Sequence, residues 1–176
     1  MTTSAEISIR RAAAADAATI ARLGAATFTE TFGHLYKPED LQAFLSSSRS
    51  PERYQRMLGN PRMGLWLAVA GGTEPIGYAV AGPCKLPVEH LEADAGEVQE
   101  LYVLAQYHGR RLGTTLLETA LEWLKAQRFS ALYVGVWSDN LGAQRLYGRY
   151  GFEKVGEYGF LVGDHIDREF ILRRFR

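Results

Sequence analysis

The stretch Leu101-Tyr102-Val103-Leu104-Ala105-Gln106-Tyr107-His108-Gly109-Arg110-Arg111-Leu112-Gly113 decides the fold. Its first part closes a run, Glu97 to Leu104, that alternates well enough to be a β-strand. Its last part opens a run from Arg110 to Arg128 in which Leu112, Leu116, Leu117, Ala120, Leu121 and Leu124 recur at spacings of three and four. Glu118, Glu122 and Lys125 fall on the other side, so that run predicts an amphipathic helix. A strand that turns directly into a helix leaves unpaired N–H groups and the positive end of the helix dipole facing whatever lies there, which makes an anion site. Gly109 and Gly113 let a ligand approach the backbone, and Arg110 and Arg111 add positive charge. The same residues fit a plainer reading, in which Gly109 shapes the turn, Gly113 allows close helix packing and the arginines are solvated. No Gly-Lys-Ser/Thr follows a strand and the three-glycine dinucleotide spacing is missing, so both of those nucleotide-binding motifs are excluded.

Outward from this centre the chain alternates short strands and helices. Glu6 to Arg10 suits a short strand, and the alanine-rich run around Asp16 turns helical with Ile20 and Leu23 inward. Lys37-Pro38-Glu39-Asp40 starts a helix with Leu41, Phe44 and Leu45 on one face, and a short helix follows Ser50-Pro51. Leu65 to Ala70 and Ile76 to Ala81 read as strands around a turn at residues 71–75, with a loop from Pro83 to Gly96 that carries Glu89, Glu92 and Asp94. Ala131 to Val136 predicts a strand and Asn140 to Tyr150 a helix with Ala143, Leu146, Tyr147 and Tyr150 on one face. Strands at Phe152 to Val155 and Ile166 to Leu172 end the pattern. The class is α/β (α+β), and the 176 residues are expected to form a single domain over 1–176.

The chain has 20 Lys and Arg against 20 Asp and Glu, so no global field favours nucleic acid. Cys84 is the only cysteine, which excludes an internal disulfide and a cysteine metal framework; no metal is expected. Met1 to Arg11 lacks an apolar core of signal-peptide length and no later run is long enough for a bilayer, so a cytoplasmic protein without a membrane partner is expected.

Two motifs in order carry a family resemblance. The strand and anion turn come first. Gly135-Val136-Trp137-Ser138-Asp139-Asn140-Leu141-Gly142-Ala143-Gln144-Arg145-Leu146-Tyr147 and Gly151-Phe152-Glu153-Lys154-Val155-Gly156 follow. Together they resemble the GNAT superfamily of N-acetyltransferases, most strongly between Glu97 and Gly156. The resemblance implies a mixed, mostly antiparallel sheet splayed between its central strands, with helices on both faces, and acetyl-coenzyme A as co-substrate. The family's pyrophosphate loop, Gln or Arg, two residues, Gly, one residue, Gly or Ala, falls on His108, Arg111 and Gly113, and the first two depart from it. The resemblance further implies that backbone amides from Gly109 through Leu112 to Thr114 hold the pyrophosphate, with Arg110 or Arg111 reaching a phosphate. The pantetheine arm would pair with the strand Leu101-Tyr102-Val103 and touch Asn140, which is equally suited to be a plain helix N-cap.

Acyl transfer to an amine needs a proton removed from an ammonium that titrates near ~10.4, and a donor for the departing thiolate. Tyr147 falls where the family's general acid sits; a packed core tyrosine is its alternative. Glu97 matches a glutamate base in several relatives. Glu100 is the rival, and strict alternation places it on the opposite face from Glu97, Leu101 and Val103. The segment Thr27 to Tyr36 resembles the acceptor region of bacterial spermidine and spermine acetyltransferases, which makes Glu30, His34 and Tyr36 candidates for substrate binding. The same spacing suits a helix end with Phe28 and Phe32 inward and Glu30 exposed. Three functions stand: acetylation of a polyamine or other small amine, acetylation of protein amino groups, and a noncatalytic acyl-coenzyme A sensor. A homodimer, frequent in the family, is a further expectation.

Overall fold

The computed structural model describes residues 6–175; the expected domain's ends, residues 1–5 and 176, lie outside them. In chain order the elements are β1 (Ile7–Arg11), α1 (Ala17–Phe32), α2 (Pro38–Ser48), α3 (Pro51–Leu58), β2 (Gly64–Ala70), β3 (Glu74–Pro83) and β4 (Gly96–Val103). There follow α4 (Leu112–Ala126), β5 (Leu132–Trp137), α5 (Leu141–Arg149), β6 (Phe152–Val162) and β7 (His165–Arg174). The strands form one sheet in the order β1-β2-β3-β4-β5-β7-β6. Every neighbouring pair is antiparallel except β4 and β5, which run parallel. That pair is joined only at Gly96↔Leu132 and Glu97↔Tyr133; beyond it the strands diverge, and the sheet is splayed as expected.

Strand alternation gives the sheet two buried faces. Against one, α4 packs Leu116, Leu117, Ala120 and Leu124 onto Trp66, Ala79, Val98 and Val134. Against the other, α1 and α3 pack Ile20, Leu23, Tyr54 and Met57 onto Leu65, Leu67 and Tyr78. Helices therefore cover both faces. None among the described residues is long and apolar enough to cross a membrane.

Two features differ from the sequence reading. The last strands are one long hairpin turned at Gly163, whose φ is +56°. Residues 156–162 escape detection because β6 is an edge strand whose Glu157, Gly159 and Leu161 face away from the core. In β4 the ladder to β3 slips, with Val80 opposite Glu100 and Ala81 opposite Val98, so Gln99 is an extra, bulged residue. Glu97 therefore shares its face with Glu100 and Tyr102, while Val98, Leu101 and Val103 face α4. The expectation that Glu97 and Glu100 lie on opposite faces is corrected by this bulge.

Candidate active site

Three cavities meet at the splay. The first is a groove of about 480 Å³ at the start of α4, bordered by Leu101, Val103, Gly109, Arg111, Gly113 and Tyr147 among others. The first intrahelical bond of α4 runs from Thr115 N–H to Arg111 C=O at 3.0 Å, so the N–H groups of Leu112, Gly113 and Thr114 have no helical acceptor. A Cβ on Gly113 would meet only Leu146 Cδ2, at 3.9 Å. Close helix packing therefore does not require glycine here, and the site stays open to a ligand. Gly109 has φ +77°, which the turn into α4 demands of it. Arg111 adopts φ +61° at the N-cap, a left-handed conformation unusual for a side chain of its size. The guanidinium of Arg110 lies over the Tyr107 ring at 5.2 Å. His108 Nε2 lies 2.7 Å from the carbonyl of Val103 and so folds the turn back onto the strand.

The open edge of β4 lines the same groove. Leu104 N–H donates to Ile76 C=O of β3, so by alternation the N–H and C=O groups of Leu101 and Val103 point the other way, toward the splay. The cap of α5 is Asn140, whose Oδ1 accepts from Ala143 N–H at 3.1 Å; the residue also borders both the groove and the splay. Both of its expected roles are compatible with that position.

The second cavity, about 90 Å³, lies in the splay itself between Leu101, Tyr102, Gly135, Trp137, Tyr147 and Glu169. Tyr147 borders it and the groove alike. Its ring is 95% buried and rests edge-on against Phe152 at 6.1 Å. Burial raises the Tyr147 hydroxyl above the ordinary phenol range, and it stays protonated at neutral pH.

The third cavity, about 340 Å³, opens on the far side beneath α1 and α2. Glu97, Gln99, Glu100 and Tyr102 form one wall, Arg49 and Arg53 another, and Tyr158 and Glu169 a third. Glu97 Oε2 accepts from Lys85 N–H at 2.8 Å, yet burial pushes its carboxyl up to about 7. Glu169 is likewise raised to about 7, by burial and then by the charge of Asp167. Glu100 differs. It accepts from the hydroxyls of Tyr54 at 2.6 Å and Tyr78 at 2.7 Å and lies 2.7 Å from Arg53. Burial would raise its carboxyl, but Arg49 and Arg53 hold it below the ordinary range, so it is a fixed anion rather than a proton acceptor.

The remaining candidates separate. Tyr36 borders this cavity, and its hydroxyl donates to Asp167, which also lies 2.9 Å from His165 Nε2. Glu30 and His34 lie outside it: both are exposed, and Glu30 Oε2 accepts from Ala105 N–H at 3.0 Å, tying α1 to the turn after β4. Phe28 and Phe32 pack inward beside Tyr36 and Val162. Sequence reasoning had not singled out Glu169, Arg49 or Arg53. For Glu169 a signal existed: in β7 it alternates with Ile171, an inward residue, which puts a carboxyl on an inward face.

The profile of the Acetyltransferase (GNAT) family matches residues 28–152, well over half of the chain. The chain belongs to the GNAT family of acetyltransferases. It is 28% identical over 153 residues to an uncharacterized N-acetyltransferase in the pepI 3' region of Lactobacillus delbrueckii subsp. lactis, covering 84% of this chain and 85% of that one. It is also 28% identical over 163 residues to an uncharacterized N-acetyltransferase of Mycobacterium tuberculosis strain H37Rv, covering 90% and 97%. The fold matches that of PaiA N-acetyltransferase from Thermoplasma acidophilum, solved in complex with coenzyme A, with a TM-score of 0.77 at 19% identity over 97% and 99% of the two chains. It also matches ribosomal-protein-alanine N-acetyltransferase from Brucella melitensis, with a TM-score of 0.70 at 21% identity over 96% and 99%. The GNAT chain is thus an acyltransferase whose acetyl donor is acetyl-coenzyme A. The residues present suit that donor: free N–H groups, an uncrowded glycine and Arg111 for the pyrophosphate, and an open strand edge for an amide-bearing arm.

Proposed function

We propose that the protein transfers the acetyl group of acetyl-coenzyme A to the amine of a small molecule held in the inner cavity. The observation that carries this reading is that the splay cavity shares Tyr147 with the groove and Glu169 with the inner cavity. Donor and acceptor enter from opposite faces of the sheet and meet in the splay, where water has little room. The amine nitrogen attacks the thioester carbonyl carbon, a C–N bond forms, and collapse of the tetrahedral intermediate breaks the C–S bond. Tyr147 gives its hydroxyl proton to the departing thiolate and regains one from the nitrogen, which sheds an N–H proton as the amide forms. Its buried, protonated state at the junction of groove and splay supports that role.

The proton of the acceptor ammonium goes to a cavity carboxylate. Glu97, which borders the cavity but not the splay, reaches the amine through water; Glu169 borders both and lies on the direct path. We assign the proton to Glu169, with Glu97 as a relay, because both carboxyls titrate near 7, where a base is half deprotonated and still basic enough to act. An open β4 N–H, of Leu101 or Val103, faces the developing oxyanion.

A small acceptor is favoured over a protein because the cavity bordered by α1, α2 and the loop residues 85–87 holds only about 340 Å³. The presence of a phenol and two titratable carboxyls favours an enzyme over a sensor. The polyamine expectation meets two arginines on the cavity wall. Coenzyme A release in the presence of acetyl-coenzyme A and a panel of amines tests the activity. Transfer to a small amine that slows by ~10- to 10⁴-fold in Tyr147→Phe is the expected result, and release that never depends on an amine would sink the reading.

A further inference from the structure

The charged groups of the inner cavity, Glu97, Glu100 and Glu169 against Arg49, Arg53 and Lys85, are segregated, with both arginines gathered at Glu100. Arg49 and Arg53 both face Glu100, whose Oε2 accepts from Tyr54 and Tyr78 and whose Oε1 meets Arg53 as an ion pair at 2.7 Å. Two guanidinium groups thus share one fixed carboxylate, while the charge of Lys85 acts on Glu97. The Arg49 side chain is 93% buried, and its Nε, 3.9 Å from Glu100, has no hydrogen-bond partner. No side-chain nitrogen of Arg53 makes a hydrogen bond among the described residues, its Nη1 meeting Glu100 only as an ion pair, and the side chain borders the cavity and keeps 24% of its surface exposed. A buried guanidinium with unsatisfied N–H groups is costly unless an anion arrives.

The cavity is also polarised along its length. Glu169 borders the splay as well as the cavity, whereas Arg49 and Arg53 border the cavity alone. The carboxyl end therefore faces the place where the acetyl group is transferred, and the guanidinium end lies away from it. Phe28, Phe44 and Tyr102 line the space beside Arg49, whose guanidinium carbon stands 5.2, 5.6 and 5.9 Å from their ring centres. A diamine or longer polyamine would have to set its second ammonium among these arginines, where like charges repel.

Resting on the acetyltransferase reading above, we propose that the acceptor is a primary amine that also carries a carboxylate. Its amine lies beside Glu169 in the splay, and its carboxylate on the free N–H groups of Arg49 and Arg53. The class is that of a small amino acid-like zwitterion with an apolar body. Arg53 supplies specificity by accepting a planar anion on its open fork, the geometry for which guanidinium is suited.

The test is steady-state acetyl transfer by the full chain with acetyl-coenzyme A, using acceptors matched in everything but the anion. The ω-amino acids γ-aminobutyrate and ε-aminocaproate are compared with their amides and with the corresponding decarboxylated amines, and spermidine is included. The expected result is a kcat/KM for the carboxylates roughly 10²-fold above their amides, because a site built for a polar group rejects the analogue that lacks it. Arg53→Gln is expected to shrink that preference to within about threefold by raising KM for the carboxylates far more than for the amides. Where that variant does not fold, Arg53→Lys keeps a charge opposite Glu100 but loses the fork, and an expected tenfold loss confined to the carboxylates gives the same readout. Amides, decarboxylated amines or spermidine turned over as well as the carboxylates would overturn the proposal while leaving the acetyltransferase reading intact. So would tight acetyl-coenzyme A binding by calorimetry with no turnover of any carboxylate acceptor. Absence of both acetyl-coenzyme A binding and transfer would overturn that reading and the proposal with it.

Discussion

Replacing Arg111 by glycine sets two effects of opposite sign against each other. Arg111 holds φ +61° and ψ 12° at the start of α4, and a left-handed conformation costs an L-residue about 1–2 kcal/mol. Glycine removes that cost but adds freedom to the unfolded chain, which offsets roughly 0.5–1 kcal/mol of the gain. The net stabilisation is ~0.5–1 kcal/mol, or a rise in Tm of about 1–4 °C for a chain of this length. The side chain borders the helix-end groove and makes no hydrogen bond to protein among the described residues. If it reaches a phosphate of the donor, its loss removes a charge-assisted bond worth about 1.5–3 kcal/mol, and Kd for coenzyme A rises roughly 10- to 150-fold. Thermal unfolding of the ligand-free protein measures the first effect, and calorimetry with coenzyme A at two ionic strengths the second. Arg111→Ala keeps the strained backbone, so it should lose affinity without gaining stability. A glycine variant that melts lower than the native protein would refute the strain argument, and unchanged affinity would remove Arg111 from the phosphate site.

Tyr147→Phe should lower kcat by ~10- to 10⁴-fold with little change in donor affinity or Tm, since its hydroxyl makes no hydrogen bond to the described residues; stopped-flow and calorimetry check this. Gly113→Asp should weaken coenzyme A binding at unchanged fold, because the site tolerates a side chain but not a negative charge beside the free N–H groups; equal affinity would displace the pyrophosphate from there. If Glu169 and Glu97, whose carboxyls are raised to about 7, take the acceptor's proton, they must be deprotonated to act, so kcat/KM should climb as pH rises through about 7 and level above it. Glu169→Gln should remove that limb with a loss of ~10²- to 10⁴-fold, and a native pH profile in the variant would shift the base elsewhere. Glu100→Gln leaves two guanidinium groups facing no anion and should cost about 3–5 kcal/mol, or ~6–20 °C in Tm. The carboxyl of Glu100 is held below its unfolded value near ~4.3, so its contribution is complete above that pH and disappears as pH falls through the lower folded value.

The periodic elements and the anion turn were legible because each depends on neighbours in sequence: helix α4 on its three-and-four spacing, the turn on Gly109 and Gly113. The splay entered only through the family resemblance, since nothing local in β4 or β5 announces that their pairing stops after Glu97↔Tyr133. The acceptor side was least legible, for a physical reason that begins at Gln99. A single bulged residue reverses the parity of everything N-terminal to it, so alternation counted from Val103 puts Glu97 on the wrong face. Once Glu97 and Glu100 share a face, their different partners give them different chemistry. Tyrosines and arginines fix Glu100 as an anion, whereas Glu97 meets mainly backbone and keeps a proton available near neutrality. Arg49 and Arg53 come from the α2–α3 junction and Glu169 from β7, so no spacing rule connects them; only the closure of the sheet does. Gly135 shows how narrow that closure is. A Cβ there would stand 3.1 Å from the Tyr158 hydroxyl and 3.2 Å from Leu86, inside the space that opens onto the splay. The residue that keeps the floor of the cavity clear is thus one whose only sequence signal is the absence of a side chain, in a strand where glycine is otherwise unfavourable.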